Sequence, residues 1–474
     1  MHYHNMAPLA FFFLFLSLSA SSSEAGGTIG INYGRIANNL PTPAKVVELL
    51  KTQGITRVKL YDTESTVLTA LSNSGIKVVV AMPNELLSNA AADQSFTDTW
   101  IQTNIIKYHP ATQIEAIAVG NEVFVDPKNT TNYLVPAMKN VQASLIKNNL
   151  DKEIKISSPI ALSALQSSYP TSSGSFKPEL IEPVIKPMLE LLRQTGSSLM
   201  VNAYPFFAYA ANSDTISLNY ALFKDNPGVV DSGNGLKYSN LLDAQIDAVY
   251  AAMLALQYDD VGITVSETGW PSLGDPNEIG AGEDNAESYN GNLVRRVLNG
   301  SGTPLRPNRT LDVFLFALFN ENQKTGPTSE KNYGLFYPSE EKVYDIPFTV
   351  AGINKTASTA SPGRGVGRSV VPVSDVSAVA NSGETWCVAN GGYSEEKLQH
   401  ALDYACGVGG ADCGPIQPGA TCYNPNTLEA HASYAFNSFY QKKSRGSGTC
   451  DFGGAGYVVT QPPRYGTCNF PTRY

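Results

Sequence analysis

Between Thr28 and Val350, short runs of apolar and β-branched residues alternate with longer stretches whose apolar positions recur every three or four residues. The short runs are Thr28–Tyr33, Arg57–Tyr61, Lys77–Met82, Ile114–Val119, Ile154–Ser158, Leu199–Ala203, Gly262–Ser266 and Asp312–Leu318. Each closes in polar or small residues and reads as a strand. The intervening stretches read as helices. Val46, Val47, Leu49 and Leu50 follow Pro41-Thr42-Pro43, a natural helix entry. Leu134, Met138, Val141 and Leu145 share one face, as do Ile246, Val249, Met253 and Leu256. Eight β/α units in this length predict a (β/α)8 barrel. The rival is a doubly wound open sheet, and no Gly-x-Gly-x-x-Gly follows the first strand to support it.

The pattern changes at both ends. Leu9 to Ala20 is an apolar run too short to span a bilayer, and Ser23-Glu24-Ala25 fits a small-x-small cleavage site. Residues 1–25 are therefore expected to be a cleaved signal peptide, although the flank carries only His and no Lys or Arg. Residues 26–352 form the expected barrel. Residues 353–384 contain a stretch of Ser, Thr, Ala, Pro and Gly without period, a flexible linker. Residues 385–474 form a separate module. The last residues, "CNFPTRY", have no hydrophobic tail, so no lipid anchor is expected. Sequons at Asn129, Asn299, Asn308 and Asn354 are glycosylation candidates and fit passage through the secretory route.

Charge and side-chain chemistry narrow the function. The net charge is −9 and only 16% of residues are charged. An acidic chain with no basic block is a poor partner for nucleic acid or an anionic membrane. It suits neutral sugars. His109, in the loop-like "KYHPAT", is the sole His of the central region and reads as a surface or capping residue. A Ser-His-Asp triad or a His-built zinc site would hang on that one residue, and no metal or cofactor is expected. All six cysteines, Cys387, Cys406, Cys413, Cys422, Cys450 and Cys468, fall in the terminal module. They read as three disulfides, with fifteen possible connectivities, and no Cys-x-x-Cys pair favours metal.

In a barrel the chemistry sits where strands reach the C-terminal face. "IEAIAVGNE" carries the fourth strand into Glu122, and "GITVSETGWPS" carries the seventh into Glu267. Strands four and seven face each other across the mouth. Two converging carboxyls, one neutral acid and one ionised partner, are what glycoside hydrolysis needs. Asn121 is placed to donate to a sugar hydroxyl. Trp270 offers either a stacking plane or packing under a Pro271 turn. The eighth strand delivers Glu321 and Lys324, a cation that can separate the carboxyl pKa values. "VNAYPFF" brings Tyr204, Phe206 and Phe207, which either stack on sugar faces or fill the core.

Together "IGINYG", "VGNE", "VNAYPFF", "SETGWPS", "FNENQKTGP" and "EKNYGLFYP" resemble the plant endo-β-1,3-glucanases of glycoside hydrolase family 17. The resemblance implies Glu122 as proton donor and Glu267 as nucleophile. It implies Glu321, Lys324 and Glu330 as assisting residues, and Tyr33, Asn121 and Asn202 among the substrate-binding positions. It also implies retention through a covalent glycosyl-enzyme, with the carboxyls about 5–5.5 Å apart.

The terminal module shows two helical patterns. One is "SEEKLQHALDYACG", with Ser394 as N-cap, Leu398, Ala401, Leu402 and Ala405 on one face and a stop at Gly407. The other is "NTLEAHASYAFNSFYQKK", with Leu428, Ala432, Ala435, Phe436 and Phe439 inward. "TWCVAN", "CGPIQPGATCYNPNT" and "CDFGGAG" are similar to carbohydrate-binding module family 43, which binds β-1,3-glucan. That resemblance implies the pairs Cys387–Cys450, Cys406–Cys413 and Cys422–Cys468. Tyr423, Tyr434 and Tyr440 could stack on sugar, with core duty the other reading for Tyr434. The two-domain layout is similar to long plant glucanases, including olive-family pollen allergens. The expectation is a secreted, monomeric, cell-wall endo-β-1,3-glucanase. The alternatives are a transglycosylase using the same intermediate and a glucan-binding wall protein without catalysis.

Overall fold

The computed structural model describes residues 26–359, 385–389, 395–407, 409–443, 445–446, 449–452, 455–459, 463 and 468–472. The expected signal peptide, linker residues 360–384 and the Ser394 cap lie outside them. The chain divides into two compact units, Met1–Pro362 and Gly363–Tyr474.

The first unit is built on parallel strands β1 (Thr28–Asn32), β2 (Arg57–Lys59), β3 (Lys77–Met82), β4 (Gln113–Val119), β5 (Lys155–Ser157), β6 (Ile160–Ala161), β7 (Leu199–Asn202), β8 (Ile263–Thr268) and β9 (Asp312–Leu315). They are hydrogen-bonded in the order β5-β4-β3-β2-β1-β9-β8-β7-β6. The two ends of that order, β5 and β6, are consecutive pieces of one run interrupted at Ser158-Pro159. The first piece pairs with β4 and the second with β7, so the run closes the sheet into a barrel of eight strands. Pro159 has no N–H to give a ladder, which suits it to the break.

Helices follow the strands and cover the outside. Pro43–Thr52 buries Val46, Val47, Leu49 and Leu50, and Pro43 supplies the pre-set φ of a first turn. Thr131–Lys147 buries Leu134, Met138, Val141 and Leu145. Leu241–Ala255 opens on Asn240, whose side chain accepts from Asp243 N. The main core lies between sheet and helices. Inside the barrel, Val79, Ala81, Ala116, Ala118, Met200 and Phe314 form a separate small cluster. The Phe314 ring packs there among small and apolar side chains. Asn32 ties three strand ends, its Nδ2 donating to the carbonyls of Ser266, Phe314 and Leu315.

The second strand stops at Lys59 and the sixth at Asn202, and the ends of the seventh and eighth differ from expectation more consequentially. The seventh strand runs on to Thr268, because Glu267 pairs in register with Asn202. Glu267 is thus part of the ladder rather than just beyond it. The eighth stops at Leu315, and the chain turns through a cis Phe316–Ala317 peptide. His109 is half-buried rather than free at the surface, and its Nε2 meets Glu153 at 3.1 Å. All four sequon asparagines are exposed.

The second unit pairs Trp386–Ala389 antiparallel with Gly456–Val459 and sets helices Glu395–Cys406 and Leu428–Lys442 beside them. Its core holds Trp386, Leu398, Ala435 and Phe436, with Phe452 stacked on Phe436 at 4.0 Å. The disulfides are Cys387–Cys450, Cys406–Cys413 and Cys422–Cys468. Tyr434 and Tyr440 are buried, so they hold the core and present no platform for sugar. Their helix packs both neighbouring faces inward against strand and disulfide loops. Tyr423 is half-buried against His431. Among the described residues of this unit, the exposed rings are those of Tyr404 and Tyr457.

Candidate active site

A cavity of about 840 Å³ opens at the C-terminal ends of the barrel strands. β4 delivers Gly120, Asn121 and Glu122 to it. The chain turns sharply here: Gly120 has φ +70°, and a Cβ at that position would meet Val123 at 2.6 Å. Glu122 is also left-handed, with φ +50°. That costs a non-glycine residue about 1–2 kcal/mol. The turn is held by Asn84, which donates to Asn121 O and accepts from Asn121 N. Glu122 N donates to Pro159 O at 2.9 Å. Its carboxyl accepts from Asn202 Nδ2 at 2.8 Å. Asn202 is itself oriented by Ser266 Oγ, 2.8 Å from Oδ1. Asn202 and Glu267 are register partners, which brings the two carboxyls over one opening.

Glu267 has a different setting. Lys59 Nζ lies 3.0 Å from its Oε1, and both side chains are buried. Tyr204 donates its hydroxyl to Oε2 at 2.9 Å. The Lys59 ammonium also lies 4.0 Å from the centre of the Tyr61 ring. Burial of this cation is tolerated because a full opposite charge and an aromatic face replace water. Burial pushes the Tyr61 and Tyr204 hydroxyls well above their ordinary range, and the Glu267 carboxylate pushes them further. Both stay proton donors. Glu122 has no such cation in contact. Burial raises its pKa above the usual carboxylate value, and repulsion from Glu267 adds to this. The Asn202 hydrogen bond and the more distant Lys59 oppose the rise without cancelling it. One carboxyl is therefore paired with a cation while the other is biased toward holding its proton.

The loop after β9 adds a third group. Glu321 is buried, accepts from Ile36 N at 2.7 Å and faces Lys324 at 3.9 Å. Burial raises its pKa and Lys324 counters it. Lys324 also reaches Glu330 at 3.5 Å and sits 4.1 Å from the Phe316 ring centre. Gly34 is required beside them, since a Cβ there would meet the Glu321 carboxylate at 2.5 Å.

Of the residues expected from sequence, Asn121, Glu122, Asn202, Tyr204, Phe207, Glu267, Glu321, Lys324 and Glu330 line this cavity. Phe207 is nearly half exposed at its rim. Tyr33, Phe206 and Trp270 do not line it. Trp270 is fully buried; its indole donates to Gly280 O at 2.7 Å and packs on Phe206 and Tyr289. The packing reading holds for Trp270 and Phe206, because the turn after β8 folds back over them. Tyr33 is buried edge-on to Phe319. Sequence reasoning missed Lys59, Tyr61, Phe316, Tyr333, and the ion-paired Arg35 and Asp62. A lysine inside the apolar "RVKLY" run was the available signal for Lys59. For Tyr333 the available signal was its place in "EKNYGLFYP", while nothing local marks Phe316.

Residues 29–348 match the family described as Glycosyl hydrolases family 17. The chain belongs to that family. Residues 385–457 match the X8 domain. This family 17 chain is 42% identical to glucan endo-1,3-beta-glucosidase 12 of Arabidopsis thaliana over 96% of its own length and 87% of the relative's. It is 38% identical to the glucan endo-1,3-beta-D-glucosidase of Olea europaea over 97% of both. Among solved structures, it resembles CJP38, a beta-1,3-glucanase and allergen of Cryptomeria japonica pollen, at 41% identity and TM-score 0.65. That match covers 68% of this chain and 99% of the other. No helix among the described residues is long and apolar enough to cross a membrane.

Proposed function

We propose that this chain is a secreted endo-hydrolase of β-1,3-glucan that acts with retention through a glycosyl-enzyme on Glu267. The observation that carries the reading is the unequal pair in one cavity: Glu267 held by the Lys59 cation, and Glu122 raised in pKa beside it. The names of the relatives supply the substrate class. Glu122 protonates the glycosidic oxygen while Glu267 attacks the anomeric carbon. The leaving chain departs, and Glu122, now ionised, takes a proton from the water that hydrolyses the ester. Glu321, Lys324 and Glu330 hold the charge balance beside these two. Phe207 offers a ring to the apolar face of a sugar. The X8 unit tethers the enzyme to insoluble glucan at the cell wall, and the protein works as a monomer.

The test is Glu267→Ala. Turnover of laminarin is expected to vanish with the barrel still folded, and azide is expected to restore cleavage with inverted configuration. Activity within tenfold of wild type would overturn the nucleophile. Product analysis on laminarin and on a mixed-linkage glucan separates hydrolysis from transfer.

A further inference from the structure

A cavity of about 810 Å³ has among its walls the start of helix Leu241–Ala255, the last turns of helix Glu283–Leu298 and the loop that follows the latter. It shares no lining residue with the active-site cavity. Its volume is in the range of ligand sites. Its charge runs against that of the chain. Lys224, Lys237 and Arg296 line it together with Asp225 and Asp243, one positive charge in excess, on a chain whose net charge is −9.

The buried and the exposed charges differ in what they leave open. Arg296 donates to Asp243 Oδ2 and to the carbonyls of Ser301 and Gly302, so its charge is taken up within the protein. Lys224 and Lys237 are exposed, and neither ammonium has an ion-pair partner among the described residues. Asp243 is 3% exposed. Its Oδ2 accepts from Arg296 and Asn240, while its Oδ1 has no hydrogen-bond partner among the described residues. A ligand hydroxyl donating to that oxygen makes a bond that folding left unmade. The fourth feature is a ring. Phe223 lines the cavity half-buried, packed on Tyr289 with ring centres 5.4 Å apart. Its backbone is left-handed, φ +56°, a conformation that bulky residues rarely adopt. Two free ammoniums suit a carboxylate, an unpaired carboxyl oxygen suits a hydroxyl, and an aromatic face suits the apolar side of a sugar ring. A uronic acid carries all three on one pyranose, and its single negative charge matches the excess in the lining.

We infer that this cavity is a non-catalytic site for a uronic acid unit of an acidic polysaccharide, with Lys224 and Lys237 holding the sugar carboxylate, Phe223 under the ring and Asp243 Oδ1 accepting from a hydroxyl. The site is separate from the one that holds Glu122 and Glu267, and the inference does not depend on the glucanase reading. An inorganic anion would fill a small part of the volume and leave the ring unused. A neutral glucan would leave both ammoniums without a partner.

The experiment titrates the full chain by calorimetry with a soluble oligomer of galacturonic acid, with the methyl ester of that oligomer, with inorganic phosphate and with an oligoglutamate. The free-acid oligomer is expected to bind. Esterification should weaken it at least tenfold, and so should the double variant Lys224→Ala with Lys237→Ala. Both lysines are exposed and lie outside the catalytic cavity, so this variant should fold and cleave laminarin as the wild type does. A second pair, Lys51→Ala with Lys152→Ala, removes the same charge from exposed positions elsewhere and should leave the affinity within twofold. No binding by the wild type, or equal affinities of the two double variants, would overturn the inference. Phosphate or oligoglutamate binding as tightly as the oligomer would make the cavity a general anion or acidic-peptide site and overturn the sugar assignment. Competitive inhibition of laminarin cleavage by the oligomer would place it in the catalytic cavity and overturn the separate site.

Discussion

In the proposed mechanism Glu122 serves as the acid, and it can do so only while it holds its proton. Its pKa is raised by burial and by Glu267, so the protonated form persists to higher pH than for a free glutamate. As pH climbs through that value the donor is lost and the rate falls. A rate profile with a falling alkaline limb is expected. Glu122→Gln should lose that limb and slow natural glucan by about 10²–10⁴-fold, sparing substrates with activated leaving groups in the first step. An unchanged profile would assign the acid elsewhere. Lys59 belongs to the same scale. It and Glu267 are buried as a pair, and removing one partner leaves the other charge uncompensated, at about 3–5 kcal/mol. Lys59→Met should lose stability of this order together with most activity. The double variant Lys59→Met with Glu267→Gln should recover stability while remaining inactive. Simple additivity of the two losses by thermal unfolding would contradict the coupling.

Helix Leu241–Ala255 shows how one element carries unrelated duties. Its apolar positions Leu242, Ile246, Val249 and Met253 face the core, while Gln245 faces the active-site cavity. Asp247, one turn beyond Asp243, is fully buried and accepts from Leu305 N at 2.8 Å. Burial raises its pKa from 3.8 to about 6. A carboxyl whose folded value lies above its unfolded value binds protons more readily in the native state. Stability is therefore greatest below about pH 4 for this group and falls as pH rises to about 6, by roughly 3 kcal/mol in full. Asp247→Asn keeps an oxygen for Leu305 N and cannot ionise. Its unfolding temperature should fall less between pH 4 and 7 than that of the wild type. A parallel slope would show that other groups set the dependence.

At the scale of the molecule, the two units depend on different forces. Cysteine is confined to the second unit, where each of three disulfides contributes roughly 2–4 kcal/mol to a small core. Mild reduction should unfold this unit and release the protein from insoluble β-1,3-glucan, while cleavage of short soluble oligosaccharides persists. Loss of both activities together would show that the units do not stand apart. The sequence by itself determined the eight strands, the helix faces and the strand-end glutamates. Each of these is written in residues near one another, through a period of two or 3.6 or an apolar run that ends in a carboxylate. It also carried the cysteine pairs, through the motifs that resemble known modules. Folding alone decided which aromatic rings line the cavity. Trp270 and Phe207 look alike in a string of letters, yet one is sealed beneath a turn and the other stands at the rim. Folding likewise decided the partner of Glu267. Lys59 lies far from it in sequence and reaches it because barrel closure brings the ends of β2 and β8 to one lumen. The split between the two carboxyls, one paired and one raised, arises from burial and distance, which no local pattern encodes.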